Sequence, residues 1–355
     1  MRAVRCHRYA GFNEQDQPLT QTDPLRDVLT LDQVPVPECN AGHVLVDVHF
    51  AGIQYPDAFQ AQGFYQERPS VPYIPGVDIS GIVREIGNDV DTIQVGDRVV
   101  AKLSMGGLAE VAAAEADSVW PVPEHVDLAT CANLSRNYIS AYHSLKVVGE
   151  IQSGDLVLID GASGGVGMAA IELAKAMGAK VIAGVSSETK MEFPEQAGAD
   201  VVLCYGRDKA SYRQFKTGVR EACASLGHPA GVDAVIDMVQ GELFEAALVS
   251  AVRPLGKLVL VGFTAGQKPI RPGMLLIKQA AAVGSLWASW AKQFPNEQRQ
   301  NVQEILEFFR SGAIKPRVDR VFPLDEFLSA FELFEQNQGR GNTAVHVQGP
   351  PAFSS

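Results

Sequence analysis

Cysteine is sparse in this sequence and shows no pairing. Five stand at positions 6, 39, 131, 204 and 223, an odd number with no CxxC spacing among them. That pattern excludes a disulfide framework and a four-cysteine zinc lobe, and it fits a reduced, cytoplasmic setting. Each thiol reads as a small apolar residue rather than a nucleophile. Positive charge is the second shortage: 30 Lys and Arg against 41 Asp and Glu leave a net charge of −11, with no long basic run. That balance disfavours nucleic-acid binding and docking on an anionic membrane. Long hydrophobic runs are missing too, and no apolar stretch reaches membrane-spanning length. The basic start, Met1 to Arg8, leads into no apolar run, so no secretory signal is expected. From Phe353-Ser354-Ser355 no retention or peroxisomal address is expected.

What is present suits a soluble two-domain chain: 355 residues, 46% hydrophobic and 20% charged. The rest is organised around Gly161-Ala162-Ser163-Gly164-Gly165-Val166-Gly167. Leu156 to Asp160 leads in as an apolar run of strand length, and Met168 to Met177 leads out as a helix ended by Gly178. A strand, a glycine-dense turn and a helix are the order a dinucleotide-binding fold requires. Glycine permits the tight turn and the close approach of a pyrophosphate, and the helix start offers free N–H groups to it. The spacing is GxxGxxG rather than GxGxxG, so the surrounding strand–helix–strand unit carries the reading.

Around this unit the chain changes style. Residues 1–134 hold short strands separated by glycine and proline, such as Val44–Phe50, Gly81–Ile86 and Arg98–Ala101, with a polar loop over 11–27. From 135 onward helices and strands alternate: a helix over Asn137–Val148, then strands at Leu156, Lys180–Val185, Val201–Leu203, Val232–Met238 and Leu258–Val261. That alternation predicts a doubly wound parallel sheet over 135–284. Residues 285–355 are expected to return to the first domain. They supply amphipathic helices around Val302–Phe309 and Phe327–Phe334, the second capped by Asp325, and a last strand at Ala344–Val347.

Several anchors resemble the medium-chain dehydrogenase/reductase superfamily, in its zinc-free quinone oxidoreductase (zeta-crystallin-like) branch. They are Ala51-Gly52-Ile53-Gln54-Tyr55-Pro56-Asp57, Pro72 to Val83, Gly96-Asp97-Arg98-Val99, Ser140-Ala141-Tyr142-His143 and the glycine turn. The resemblance implies an α/β architecture: a GroES-like β domain from both chain ends, a Rossmann domain between them in sequence, an active site in the cleft, and a homodimer formed near Val283–Leu286. Zinc-dependent relatives carry a cysteine after the Gly-Ile pair and His-Glu after the Pro-Gly pair. Here those positions hold Gln54 and Val77-Asp78, so no metal is expected. His49, His125 and His143 have no spaced ligand partner and read as structural or surface residues.

The tip of the second strand, Ser186-Ser187-Glu188-Thr189-Lys190, replaces the carboxylate that an NAD site usually carries. Two hydroxyls and a cation there suit the 2′-phosphate of NADPH, whereas Glu188 would favour NAD if it turned inward. The resemblance further implies that Tyr205 lies along the adenosine phosphate. Asn137 and Ser140 are to reach the nicotinamide, Val261-Gly262-Phe263 to line its ribose, and Asn342 to close over the cofactor. Asp160 departs from the family pattern; it is either solvated beside the turn or bonded to a neighbouring amide.

Hydride transfer without a Lewis acid needs an acceptor that is already electrophilic, such as a quinone or an α,β-unsaturated carbonyl. Charge then builds on oxygen, where each placed hydrogen-bond donor contributes roughly 3 kcal/mol. The candidate donors are Tyr65 and Gln54, with Tyr55 competing; Asp57 is expected to fix the local turn. Trp287 and Trp290 are candidates to shape the pocket. Three functions stay open at this stage: a quinone reductase, an enoyl or 2-alkenal reductase, and an NADPH-binding protein without turnover.

Overall fold

The central strands are uninterrupted apolar runs, which only a sheet covered on both faces can bury. In the computed structural model, residues 1–349 are described apart from Glu14, Asn337 and Arg340, with Ala246 described only in its backbone. The carboxy-terminal Phe353-Ser354-Ser355 lie outside the described residues. The chain divides into two units, Met1–Arg136 with Pro316 onward, and Asn137–Lys315.

In the second unit six strands form one parallel sheet among the described residues. Their order is Val201–Cys204, Lys180–Val185, Leu156–Ile159, Val232–Asp237, Val252–Leu260 and Ala281–Gly284. The chain reverses direction across the sheet between Leu156–Ile159 and Val232–Asp237. In such sheets the crevice beyond the carboxyl ends at that reversal is the ligand position. Helix Gly165–Ala176 follows the glycine turn, and Gly178 closes it with a left-handed φ of +84°.

Two features of this unit differ from the sequence-based expectation. The strand expected at Leu258 begins at Val252, with a register shift where Val232 pairs Val252 but Ala234 pairs Lys257. Pro254, the left-handed Leu255 and Gly256 interrupt the apolar pattern and hide that start. The crossing back to the first unit falls at 315/316 rather than 284/285. Helix Pro295–Arg310 buries Val302, Ile305 and Leu306, and its Glu304 binds Tyr142 Oη and Lys146 Nζ. Both partners lie in the second unit, which keeps the helix there.

The first unit is built on strand His43–Ile53. It pairs antiparallel with Asp78–Ile86, Val111–Glu115 and the late strand Thr343–His346, so segments from before and after the second unit share one sheet. Helix Phe327–Glu335 buries Phe327, Ala330 and Phe331. Asp325 does not cap it: it lies in a preceding 3₁₀ turn, and its Oδ1 accepts from Arg2 Nη1 at 3.1 Å. Cys6, Cys131 and Cys223 are buried as expected, and burial pushes the first two thiols up to about 11 and about 12; Cys39 and Cys204 are half-buried.

Candidate functional site

The glycine turn joins the end of Leu156–Ile159 to helix Gly165–Ala176. Gly161 takes a left-handed φ of +58°, which a side chain rarely adopts. A Cβ on Gly167 would stand 2.6 Å from the Gly161 carbonyl oxygen and 2.8 Å from Ala162 Cα. The turn therefore folds directly onto the first turn of the helix, whose free N–H groups suit a phosphate. Ala162, Ser163 and Gly167 are buried, while Gly164, Gly165 and Val166 are half-buried at the rim.

The neighbouring strand Lys180–Val185 delivers Ser186 and Ser187, both half-buried, into a 3₁₀ turn, Glu188–Lys190. Ser187 Oγ lies 3.0 Å from Thr189 Oγ1. Glu188 is exposed and Lys190 half-buried, so the carboxylate that would oppose a 2′-phosphate points to solvent. Tyr205 is only 6% exposed: it packs edge-on against Phe215, and the Ser186 hydroxyl works against the rise that burial gives its phenol. Its placement is that of a core anchor behind Ser186. Val261 and Gly262 donate their N–H groups to the Asp237 carbonyl at 2.8 and 3.2 Å, and Phe263 is exposed. Asn137 is buried and Ser140 half-buried on helix Leu134–Tyr142. Trp290 stands against His143, with ring centres 5.1 Å apart.

Asp160 resolves to the second of its two expected states. Its Oδ1 accepts the Met238 N–H at 2.6 Å, and the residue has no exposed surface.

The first unit gathers a second set of polar groups. Helix Tyr55–Gln62 starts at Gln54, whose backbone N–H donates to Asp57 Oδ2 at 2.8 Å. Arg136 closes on the same carboxylate with Nη1 at 3.1 Å and Nη2 at 3.4 Å. Asp57 thus fixes the local turn, as its sequence context predicts. The Gln54 amide Nε2 donates to Asp78 Oδ2 and to Asn133 Oδ1, both at 3.1 Å. An amide nitrogen carries two hydrogens, and both are committed there. Gln54 is therefore placed as a brace rather than as the free donor expected from the sequence. Asp78 also accepts from Ser135 Oγ and from the Arg136 N–H. Burial pushes Asp78 up to about 6, against the opposing pull of Arg136 and Ser135. Lys102, the other cation of the cluster, is pushed down by burial.

Tyr65 stands beside this cluster, half-buried, with no hydrogen-bond partner among the described residues. Burial raises its phenol, and the Arg136 charge opposes that rise. Tyr55 stacks on Phe59, with ring centres 5.5 Å apart, and is 36% exposed. Asn342 is held by the Arg317 carbonyl at 2.7 Å. No sequence signal marks Arg136, Asn133 or Ser135. Arg136 meets Asp57 across 79 positions, and no local spacing signals such a pair. Among the described residues no group of three or more His, Cys, Asp or Glu is placed to hold a metal ion.

These two sets of residues can be set against known proteins. Residues 40–124 match the alcohol dehydrogenase GroES-like domain, and residues 165–308 match the zinc-binding dehydrogenase domain. The bovine (Bos taurus) quinone oxidoreductase-like protein 2 is 34% identical over 327 residues, covering 91% of this chain and 90% of its own length. The quinone oxidoreductase of Mus musculus is 30% identical over 346 residues, 96% of each chain. The quinone oxidoreductase of Thermus thermophilus, whose complex with NADPH is solved, superposes with a TM-score of 0.77 at 27% identity, covering 98% of this chain and 100% of that one. The chain belongs to the medium-chain dehydrogenase/reductase superfamily, in its zinc-free quinone oxidoreductase-like branch.

Proposed function

We propose that this chain is a zinc-independent, NADPH-dependent reductase of quinones, cytoplasmic and homodimeric. The observation that carries the reading is the glycine cradle: the backbone contact at Gly167 leaves room for no side chain, and the free N–H groups of the helix start suit a pyrophosphate. The fit extends to the 2′-phosphate, for which Ser186 and Ser187 supply hydroxyls and Lys190 a cation, with Glu188 turned to solvent. When bound, the dihydronicotinamide supplies a hydride at its C4.

The chain's own residues do the rest. Gln54 and Val77 stand where zinc-dependent members carry ligands, so the acceptor must itself be electrophilic, and a quinone meets that need. Tyr65 donates its uncommitted hydroxyl to the acceptor oxygen as charge builds there. Gln54, tied to Asp78 and Asn133, holds the start of helix Tyr55–Gln62 and thereby the segment that carries Tyr65. Tyr65→Phe is expected to lower kcat/KM for quinones roughly 100- to 1,000-fold with NADPH affinity unchanged, from the size of a single lost oxyanion donor. Stopped-flow rates with the two proteins check this, and equal rates would remove Tyr65 from the mechanism.

The deciding assay follows NADPH oxidation with 1,4-benzoquinone, 9,10-phenanthrenequinone, trans-2-hexenal and crotonyl-CoA, with NADH in parallel. Preference for the quinones with NADPH is the expected result. Preference for the enal or the thioester would replace quinones by enones, and preference for NADH would overturn the role given to Ser186, Ser187 and Lys190.

The homodimer is supported by the outer strand Ala281–Gly284, where Val283 and Leu286 are 37% and 56% exposed beside an unpaired sheet edge. Light scattering that returned a single 38.1 kDa species would contradict it.

A further inference from the structure

The two strands that flank the reversal of the parallel sheet end in carboxyl groups. Asp237 closes Val232–Asp237, and Asp160 follows Leu156–Ile159; Ile236 pairs with Ile159, so the two lie side by side. Neither has exposed surface. Each commits one oxygen to the same short segment. Asp160 Oδ1 accepts from Met238 N–H at 2.6 Å, and Asp237 Oδ1 accepts from Val239 and Gln240 N–H at 3.1 and 2.8 Å. The remaining oxygen of each, Oδ2, is buried and receives no amide, hydroxyl or amine among the described residues. The group that interacts with each carboxyl is the other.

Two buried carboxylates in contact cannot both stay ionised. Burial and the neighbouring charge of Asp237 hold the Asp160 carboxyl well above its usual range. Among the described residues of the adjoining segments no cation relieves this. Segments 161–163, 238–240 and 261–266 and the strand end at Val185–Ser186 carry no charged side chain. From the strand Val201–Cys204 the adjoining titratable group is Tyr205, a phenol raised by its own burial and by Asp160.

The segment so held is the one against which the glycine turn rests. A Cβ on Gly161 would stand 3.3 Å from Val239 and 3.4 Å from Met238. On its other side Val239 accepts the Ala265 N–H at 3.0 Å, and Met238 accepts Thr264 Oγ1 at 3.3 Å. Gln240 keeps a left-handed φ of +53°, unfavourable without glycine, under the bond from Asp237. The carboxyl pair therefore joins the pyrophosphate turn to the segment after Leu260.

We propose that Asp160 and Asp237 hold one proton between them, and that this proton is a structural part of the NADPH site, locking segment 238–240 against the glycine turn. Loss of the proton places two like charges beneath the pyrophosphate and releases the cofactor. Both residues are positioning residues, and the proposal rests on the NADPH reading above.

The test measures NADPH binding by fluorescence from about pH 7 to about pH 10 for the wild type and Asp160→Asn, with infrared spectra of the cofactor-free proteins. A phosphate monoester is already ionised in that range, its second pKa being about 6. In the wild type the dissociation constant should rise roughly tenfold per pH unit once the pair loses its proton. Asn at 160 can accept from Met238 and donate to Asp237 at any pH, so the slope should vanish. Asp237→Asn should abolish it by the reciprocal route. The wild type at neutral pH should show a protonated-carboxyl band that Asp160→Asn lacks. Equal slopes in wild type and both variants, or no such band in the wild type, would overturn the proposal. A normal band with NADPH binding by none of the proteins would instead overturn the cofactor reading, and with it the role given to the proton.

Discussion

Gly167→Ala should raise the NADPH dissociation constant at least tenfold and cost roughly 1–3 kcal/mol of stability, the range for forcing atoms into a packed site. The added methyl would meet backbone on three sides: Gly161 O at 2.6 Å, Ala162 Cα at 2.8 Å and Ala162 C at 3.0 Å. Backbone atoms cannot swing aside as a flexible side chain does. Gly161 is also bound through its carbonyl to the Gly164 N–H at 3.0 Å, and Ala162 N–H reaches Gly184 O at 3.1 Å. Relief requires the whole turn to move off the helix, which misaligns the amides that would hold a pyrophosphate. Gly164→Ala, in the same turn, has one contact at 3.4 Å and no left-handed φ, so it should leave both quantities nearly unchanged. Thermal unfolding and NADPH titration of the two variants check the contrast. Equal effects would mean that helix propensity, and not close approach, sets the requirement for glycine.

Arg136→Leu should destabilise the protein by about 3–5 kcal/mol, the range for stripping one partner from a buried ion pair. The Asp57 side chain is 1% exposed and that of Arg136 16%, so water cannot take the guanidinium's place. With Arg136 gone, Asp57 keeps its Gln54 N–H but loses both guanidinium contacts, at 3.1 and 3.4 Å. Adding Asp57→Asn removes the stranded charge and should recover a large part of the loss, because two polar partners removed together cost less than one. Urea unfolding of the single and double variants measures this coupling. A double variant as unstable as Arg136→Leu would show that the guanidinium acts through packing alone. The quinone assay adds a second readout: Tyr65 lies within the Arg136 field, so the single variant should also raise the Tyr65 phenol and shift the alkaline limb of the rate upward.

Much of this protein is written in consecutive residues. The glycine turn, the strand before it and the helix after it were legible because a tight turn, an apolar run and a 3.6-residue period each involve neighbours in sequence. The same holds for the parallel sheet, whose strands are continuous apolar runs, and for the serine-rich strand tip at 186–190. Where chemistry depends on partners far apart, the sequence offered residue types without their commitments. Gln54 read as a free amide, but Asp78 and Asn133 occupy both of its hydrogens. Arg136 carried no signal until helix Leu134–Tyr142 brought it to Asp57. By sequence order the helix over 295–310 falls in the first domain, but Tyr142 and Lys146 hold its Glu304. Asp160 could be solvated or bonded on sequence grounds; the parallel register that sets Ile236 beside Ile159 puts Asp237 against it. Local backbone needs are met by adjacent residues and so can be read in order. Charge pairing and donor commitment follow strand register and helix placement, and only the tertiary structure decides those.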